Sequence, residues 1–435
     1  MIMYKKSGIF ALLINPTANH KKQMKVSIIN IGDELLIGQV VNGNAAEMSR
    51  MLTAAGMEVC ETTVVGDNAA DIHKALERCL AISGAVLLTG GLGPTRDDIT
   101  KSVLCDHFGC GMREDAEALA NVSRLFAAKG YPLTEVNRQQ AWVPECCTVL
   151  NNDLGTAPCM WFDTGDGKVV AAMPGVPFEM RYLMAHRVVP RLAEHFAVGS
   201  IVCKNVIVQG IGESFLSDMI KPWELSLPAD IKVAYLPEAG MVKLRLTMRG
   251  GGAAMMDKAV AGLYELAADY IVGADAESVA EVAARVMKER GLSLSTAESC
   301  TGGRIASLLT AMAGASDYFK GGVVAYSNEV KESVLGVRRE TLEQHGAVSE
   351  ETVRQMAEGV RRLTGSDYAV ATTGVAGPGG GTAEKPVGTV WIGIASAHGT
   401  EAKLVRYGDR REQNIARTCN EVLATLVRTV RKQQR

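Results

Sequence analysis

From Val26 onward the chain alternates short apolar runs rich in β-branched residues, glycine turns and stretches with helical spacing. This alternation limits the possible fold more than any other feature. The order is VSIINIG at 26–32, a helical stretch at 35–56, EVCETTVVG at 58–66, a helical stretch at 67–81 and GAVLLTGG at 84–91. Strands separated by helices predict a parallel α/β sheet with helices on both faces. GAVLLTGG lacks a polar face, as expected of a strand buried on both sides. In such sheets ligands bind beyond the carboxyl ends of the strands. Two of those ends are polar: Gly32, Asp33 and Glu34 follow the first strand, and TGGLGPTRDDIT, residues 89–100, follows the third. Gly90, Gly91 and Gly93 would let the backbone approach a phosphate closely, and the paired acids Asp97 and Asp98 could hold a divalent cation. A purely structural account competes, because acids are favourable in the first turn of a helix opening after Pro94.

With 435 residues the chain is too long for one ordinary core, so two to three domains are expected. Apolar residues make up 47% and charged residues 22%, the balance of a soluble globular protein. A formal net charge of −2 offers no basic face for a polyanion, so no direct nucleic-acid partner is expected; small phosphorylated ligands remain open. The ten cysteines follow no regular spacing, and the adjacent Cys146 and Cys147 are poorly arranged for a bridge or a zinc knuckle. A reduced, cytoplasmic protein without a membrane segment is the expectation. Residues 1–23 read as a leader or over-long start without fixed structure, because Met24 directly precedes the first convincing strand.

The first domain is expected over 24–190, closed by the helical FEMRYLMAHRVVPRLAEHF after Pro174 and Pro177. Residues 191–273 read as a small α+β connector, and its Gly250–Gly252 turn, lacking a basic cluster, as a structural link rather than an RNA-binding loop. The last domain, 274–435, is organised around STAESCTGGRI at 295–305. A short strand leads in, and RIASLLTAM continues as a helix. The turn between them places a hydroxyl, a thiol and backbone N–H groups at a helix start, where an oxyanion is favoured. Ser299 is the expected nucleophile, its competing role being a helix cap. Cys300 reads as a packed thiol.

A serine hydroxyl needs a base, and His345 and His398 lie in plain connecting text away from every motif. Lys331 therefore becomes the candidate. With Ser327 capping its helix, Lys331 falls at the end of the first turn, where the dipole disfavours its charge and burial would lower its pKa further. The alternative is a solvated lysine paired with Glu332. Two further motifs complete the domain. One is ATTGVAGPGGGTAEKPVGTVWIGIAS at 371–396, whose glycine loop is longer than a hairpin needs; the other is the basic turn RYGDRREQNI at 406–415.

GDELLIGQVVNGNAAEMSRMLTAAG, LLTGGLGPTRDDITK and AAMPGVPFEM together resemble the N-terminal domain of the CinA (competence/damage-inducible) family, a relative of molybdopterin-binding proteins, over about Lys25 to Pro190. That resemblance implies hydrolysis of ADP-ribose at its pyrophosphate with a divalent metal, expected to be magnesium. It points to Gly90, Gly91, Gly93, Thr95 and Asn44 for substrate and to Asp97, Asp98, Asp33 and Glu34 for metal. TAESCTGG, AYSNEVK, TTGVAGPGGGTAEKPVGT and GDR resemble the family's C-terminal domain over about Ser278 to Leu426, which implies a cofactor-free α/β amidohydrolase acting on nicotinamide mononucleotide. The implied dyad is Ser299 and Lys331, with Tyr326 beside it. Cys300, Thr301, Gly302 and Gly303 would surround the oxyanion, and Thr373, Gly377, Gly379, Gly380 and Arg410 would contact the substrate. A second arginine of the family pattern is replaced here by Asn414. The resemblance also implies a homodimer. Two rival roles stand beside these: an N-terminal domain that binds a nucleotide or molybdopterin-like ligand without turning it over, and a competence or recombination partner.

Overall fold

The structure is a computed structural model that describes residues 24–95, 97–197, 201–249 and 252–433. The expected leader at 1–23 and the first two glycines of the Gly250–Gly252 turn lie outside the described residues. The chain divides into two compact units, one ending at Ile201 and one beginning at Val202.

The first unit is built on six strands in the order β2-β1-β3-β8-β7-β6: β1 Lys25–Ile31, β2 Glu58–Val65, β3 Ala85–Thr89, β6 Thr148–Leu150, β7 Cys159–Asp163 and β8 Val169–Met173. The four strands β2, β1, β3 and β8 run parallel, and β7 and β6 continue the sheet antiparallel. Alternate residues of β1 feed two cores. Ile29 and Ile31 pack with Leu76 and Leu88 on one face, while Val26 and Ile28 pack with Met48 and Leu87 on the other. The predicted parallel α/β sheet with both faces covered is therefore what the chain forms.

Two expectations need correction. The helical stretch at 35–56 is not continuous: one turn, Asp33–Leu36, is followed by a turn with exposed Ile37 and Val41, and the helix proper is Gly43–Ala54. Asn42 decides the break. Its side chain accepts from the N–H of Ala45 and donates to Asn30, so it caps the helix rather than continuing it. The second correction concerns the cysteines, since Cys110 and Cys146 form a disulfide. Spacing concealed the pair because the antiparallel ribbon of β4 (Met112–Glu114) and β5 (Trp142–Pro144) brings these distant residues opposite each other.

The second unit carries two sheets. The order β10-β11-β9-β12 joins Ile231–Glu238, Met241–Arg249, Ile201–Gln209 and Ile271–Ala274, covered by the helices Glu213–Ser226 and Ala253–Ala267. This is the expected small α+β arrangement. The other sheet, β14-β13-β15-β16-β17, joins Phe319–Val324, Leu294–Glu298, Tyr368–Gly374, Thr389–Ser396 and Gly399–Arg406. Its first three strands are parallel and its last two antiparallel. Helices Val279–Glu289 and Arg411–Gln433 cover one face, and Glu350–Thr364 covers the other. The two sheets are tied together. Arg428 donates to the side chain and carbonyl of Gln209, Arg431 donates to the carbonyl of Val272, and a cut at 273/274 would run through β12. Among the described residues, no helix is long and apolar enough to cross a membrane.

Candidate active site

The central strand β13 ends at Glu298, and the chain turns sharply at Ser299. That turn is fixed from both neighbouring strands: the N–H of Ser299 donates to Thr372 on β15, and the carbonyl of Glu298 accepts from Ala325 just beyond β14. Ser299 thus stands at the carboxyl edge of the parallel strands, where backbone groups are released from the ladder. Lys331 reaches the same point from the helix Asn328–Ser333, which Ser327 caps. The lysine is 1% exposed, and its Nζ lies 3.1 Å from Ser299 Oγ.

The amine's other contacts are main-chain carbonyls, Ala325 at 2.8 Å and Tyr326 at 3.4 Å. No carboxylate bonds to it among the described residues. Burial lowers its pKa below the ordinary lysine value, against smaller upward pulls from Cys300 and Glu329. A neutral amine has two N–H bonds and one lone pair. The two carbonyls can take the former, leaving the lone pair to receive the hydroxyl proton. The alternative of a solvated lysine paired with Glu332 does not describe this side chain.

Burial also pushes the Cys300 thiol up to about 12, so it stays protonated and a poor nucleophile at neutral pH. Thr373 lines the dyad's cavity of about 230 Å³ together with Tyr326 and Ala347, and its hydroxyl donates to the carbonyl of Ala347. Tyr326 is 62% exposed; its hydroxyl accepts from Arg411, and its carbonyl accepts from the lysine.

Several expected contacts fall elsewhere. The N-terminus of the helix Arg304–Thr310 is not open to a substrate oxyanion, because the buried Glu298 carboxylate already occupies it. Glu298 accepts from the N–H groups of Gly303, Ile305 and Ala306 and from the Thr301 hydroxyl. Gly302 donates to the carbonyl of Ser299. Next to the nucleophile this leaves the N–H groups of Cys300 and Thr301, which have no oxygen acceptor among the described residues. Thr301, Gly302 and Gly303 shape the turn instead, the two glycines adopting φ values of 61° and 94°.

Of the two neighbouring arginines, Arg410 does not line the cavities at this site and Arg411 does. Its guanidinium donates to the carbonyl of Gly377 and to Tyr326, and it lines both the dyad's cavity and a neighbouring one of about 420 Å³ that also contains Arg304 and Ser307. Gly379 and Gly380 line neither cavity. Asn414 is a buried strut that donates to the carbonyls of Ala376 and Gly408, holding the glycine loop against the basic turn. Sequence reading missed Glu298 and Arg411. For Arg411 the only signal was adjacency to Arg410.

In the first unit the glycines have internal reasons. A Cβ on Gly90 would meet the carbonyl of Ile31 at 2.2 Å, on Gly91 the Thr100 hydroxyl at 2.3 Å, and on Gly93 the Asp98 carboxylate at 2.5 Å. At Gly90 the neighbour is main chain, and Gly90 and Gly91 adopt φ values of 112° and 64°, so these two glycines have a backbone reason whether or not a phosphate approaches; at Gly93 the neighbour is a side-chain end. Asp98 accepts from the backbone N–H and the hydroxyl of Thr95. Asn44 donates to the carbonyl of Gly175 at 2.7 Å.

Asp33 exchanges hydrogen bonds with Asp67, which sequence reading overlooked. Burial holds the Asp67 carboxyl above the ordinary range. A backbone bond from Asp33 opposes this, and the charges of Asp33, Glu34 and Asp97 add to it. These carboxylates converge without forming a coordination set: among the described residues, no three His, Cys, Asp or Glu side chains are placed to hold a metal ion.

Residues 276–430 match the family model described as "CinA C-terminal domain", and residues 27–194 match the one described as "Probable molybdopterin binding domain". A CinA-like protein of Cytophaga hutchinsonii is 40% identical over 409 residues, covering 93% of this chain and 98% of that protein. One from Chloroherpeton thalassium is 44% identical over 388 residues, covering 88% and 91%. A solved CinA superfamily protein from Klebsiella pneumoniae is 39% identical over 35% of this chain and 96% of its own, with a TM-score of 0.35. With relatives of this identity along nearly its whole length, the chain belongs to the CinA family.

Proposed function

We propose that the second unit is a serine–lysine amidohydrolase that converts nicotinamide mononucleotide and water to nicotinate mononucleotide and ammonia. The observation that carries this reading is the buried Lys331 amine 3.1 Å from the Ser299 hydroxyl. Lys331 takes the hydroxyl proton as Ser299 Oγ bonds to the carboxamide carbon. The N–H groups of Cys300 and Thr301 stabilise the resulting oxyanion, each worth about 3 kcal/mol in comparable sites. The lysine then protonates the departing nitrogen, and ammonia leaves. Water attacks the ester, giving its proton to Lys331, and the carboxylate product separates as Ser299 regains its own proton. Arg411, shared by the two cavities, is suited to the substrate phosphate. No cofactor takes part in these steps.

Ammonia release from nicotinamide mononucleotide by the full chain tests the assignment. Cys300→Ala is expected to keep most of the activity; loss there beside an active Ser299→Ala would move the nucleophile to the thiol. Arg411→Ala should raise KM by about tenfold or more while changing kcat less, since a charge-assisted phosphate contact acts mainly in binding. The pH profile has a definite sign. The active amine is neutral and its pKa is lowered from 10.5, so kcat/KM should rise with pH and level off below that value. A rate that fell over this rise would assign activity to the charged form instead.

For the first unit we propose hydrolysis of ADP-ribose to AMP and ribose 5-phosphate. Its location beyond the carboxyl ends of parallel strands supports this, with converging acids and an adjacent cavity. One or two of Asp33, Glu34, Asp97 and Asp98, together with the substrate phosphates, would hold a divalent ion expected to be magnesium, which would neutralise the pyrophosphate charge there. The same reading makes small phosphorylated nucleotides the partners of a cytoplasmic homodimer.

A further inference from the structure

Beside the glycine loop of the first unit lies a cavity of about 500 Å³ whose wall includes Thr95, Lys101, Gln140 and Trp142. Lys101, the second residue of the helix Thr100–Phe108, donates to the carbonyls of Gln140 at 3.0 Å and Trp142 at 2.9 Å. Among the described residues no carboxylate hydrogen-bonds to it, although the charge of Asp98 is near enough to favour the ammonium. Burial lowers its pKa to about 8, against smaller upward pulls from the charges of Asp98 and Cys147. An ammonium carries three N–H bonds, so one remains for a ligand. Gln140 is 4% exposed. Its oxygen accepts from Thr156, and its buried amide nitrogen has no acceptor among the described residues. Trp142 is 39% exposed and offers a flat apolar surface.

We propose that this cavity binds a nucleoside phosphate, with the phosphate on Lys101 and the base against Trp142. The inference rests on the ADP-ribose reading for its ligand class and assigns the residues that recognise it. A lysine amine serves as a point charge for phosphate, and aromatic rings hold bases by stacking. Asp98 and Glu135 share the wall, which disfavours a bare inorganic anion and favours a ligand whose uncharged ring and sugar fill the remaining space.

Calorimetric titration of the full chain with ADP tests this. Wild type should bind, with inorganic phosphate much weaker. Lys101→Met should weaken ADP binding about tenfold or more, and Lys101→Arg should retain most of it because the charge stays. Trp142→Ala should weaken it about fivefold or more through lost stacking. Lys101→Met also removes two hydrogen bonds within the fold. Should it fail to fold, Trp142→Ala, on a partly exposed side chain, decides. Absence of ADP binding by wild type, or undiminished binding by the folded variants, overturns the proposal. Measuring ADP-ribose turnover on the same proteins separates the two ideas: binding without turnover keeps the cavity and removes the hydrolase, whereas turnover without ADP binding does the reverse.

Discussion

Replacing Lys331 by methionine is expected to lower the rate of ammonia release by about 10³-fold or more, because the serine loses the base that makes it a nucleophile. Ser299→Ala should be at least as inactive. The double variant should be little worse than either, since the two groups act on one proton transfer. The melting temperature supplies the control. Methionine has nearly the length of lysine and carries no charge, so Lys331→Met removes a buried amine whose protonated form burial disfavours. Against that gain stand the carbonyls of Ala325 and Tyr326, each left without its donor. These effects oppose one another, and Tm should move by only a few degrees. An inactive protein that still melts near the wild-type temperature therefore places Lys331 in the chemistry. A folded Lys331→Met protein retaining substantial ammonia release would remove the dyad from the mechanism.

Glu298→Ala is expected to act in the opposite order, damaging the fold first and the chemistry as a result. The side chain is 1% exposed and accepts four hydrogen bonds, three of them from N–H groups at the start of the helix Arg304–Thr310. Alanine leaves those donors buried without an acceptor. At about 1–3 kcal/mol for each orphaned group, the loss should exceed about 4 kcal/mol, allowing for partial hydration. For a unit of this size that corresponds to a fall in Tm of roughly 8–16 °C, readable by thermal unfolding followed by circular dichroism. Glu298→Gln retains one oxygen and turns an amide donor toward the backbone, so an intermediate loss is expected. In whichever variant still folds, kcat should fall more than KM rises, because the same turn orients Ser299 and the N–H groups of Cys300 and Thr301. A wild-type melting temperature for Glu298→Ala would show that the carboxylate does not hold the turn.

Arg411→Ala and Cys300→Ala probe the same site more gently. Together with the Lys101 titrations they separate binding from catalysis in both units.

Periodicity was sufficient for the elements and their order. The parallel sheet around β1 and β3 follows from short apolar runs, buried almost throughout, alternating with helical stretches, and such patterns survive in one dimension. Ser299 and Lys331 were also legible, one as a hydroxyl in a small-residue turn and the other as the basic residue left once the histidines were set aside. Legibility ended where a side chain's partner is distant in sequence. Glu298 reads as one more strand-end acid until the turn folds back and delivers three N–H groups to it. Arg410 and Arg411 cannot be told apart by composition, and only the start of the last helix selects which guanidinium reaches Tyr326 and Gly377. Gly90, Gly91 and Gly93 suggest phosphate approach to a reader of the sequence, yet Gly90 and Gly91 already have a backbone reason in their positive φ and close neighbours. Cys110 and Cys146 met through the pairing of β4 with β5, which their spacing does not encode.

By itself, then, the sequence determined the α/β architecture, the strand-end locations of the two candidate sites and the residue types of the Ser299–Lys331 pair, because these depend on local spacing and residue type. The tertiary structure alone decided which charges are buried, which donors are already consumed and which arginine faces the cavity. Those outcomes depend on distances between segments that only folding brings together.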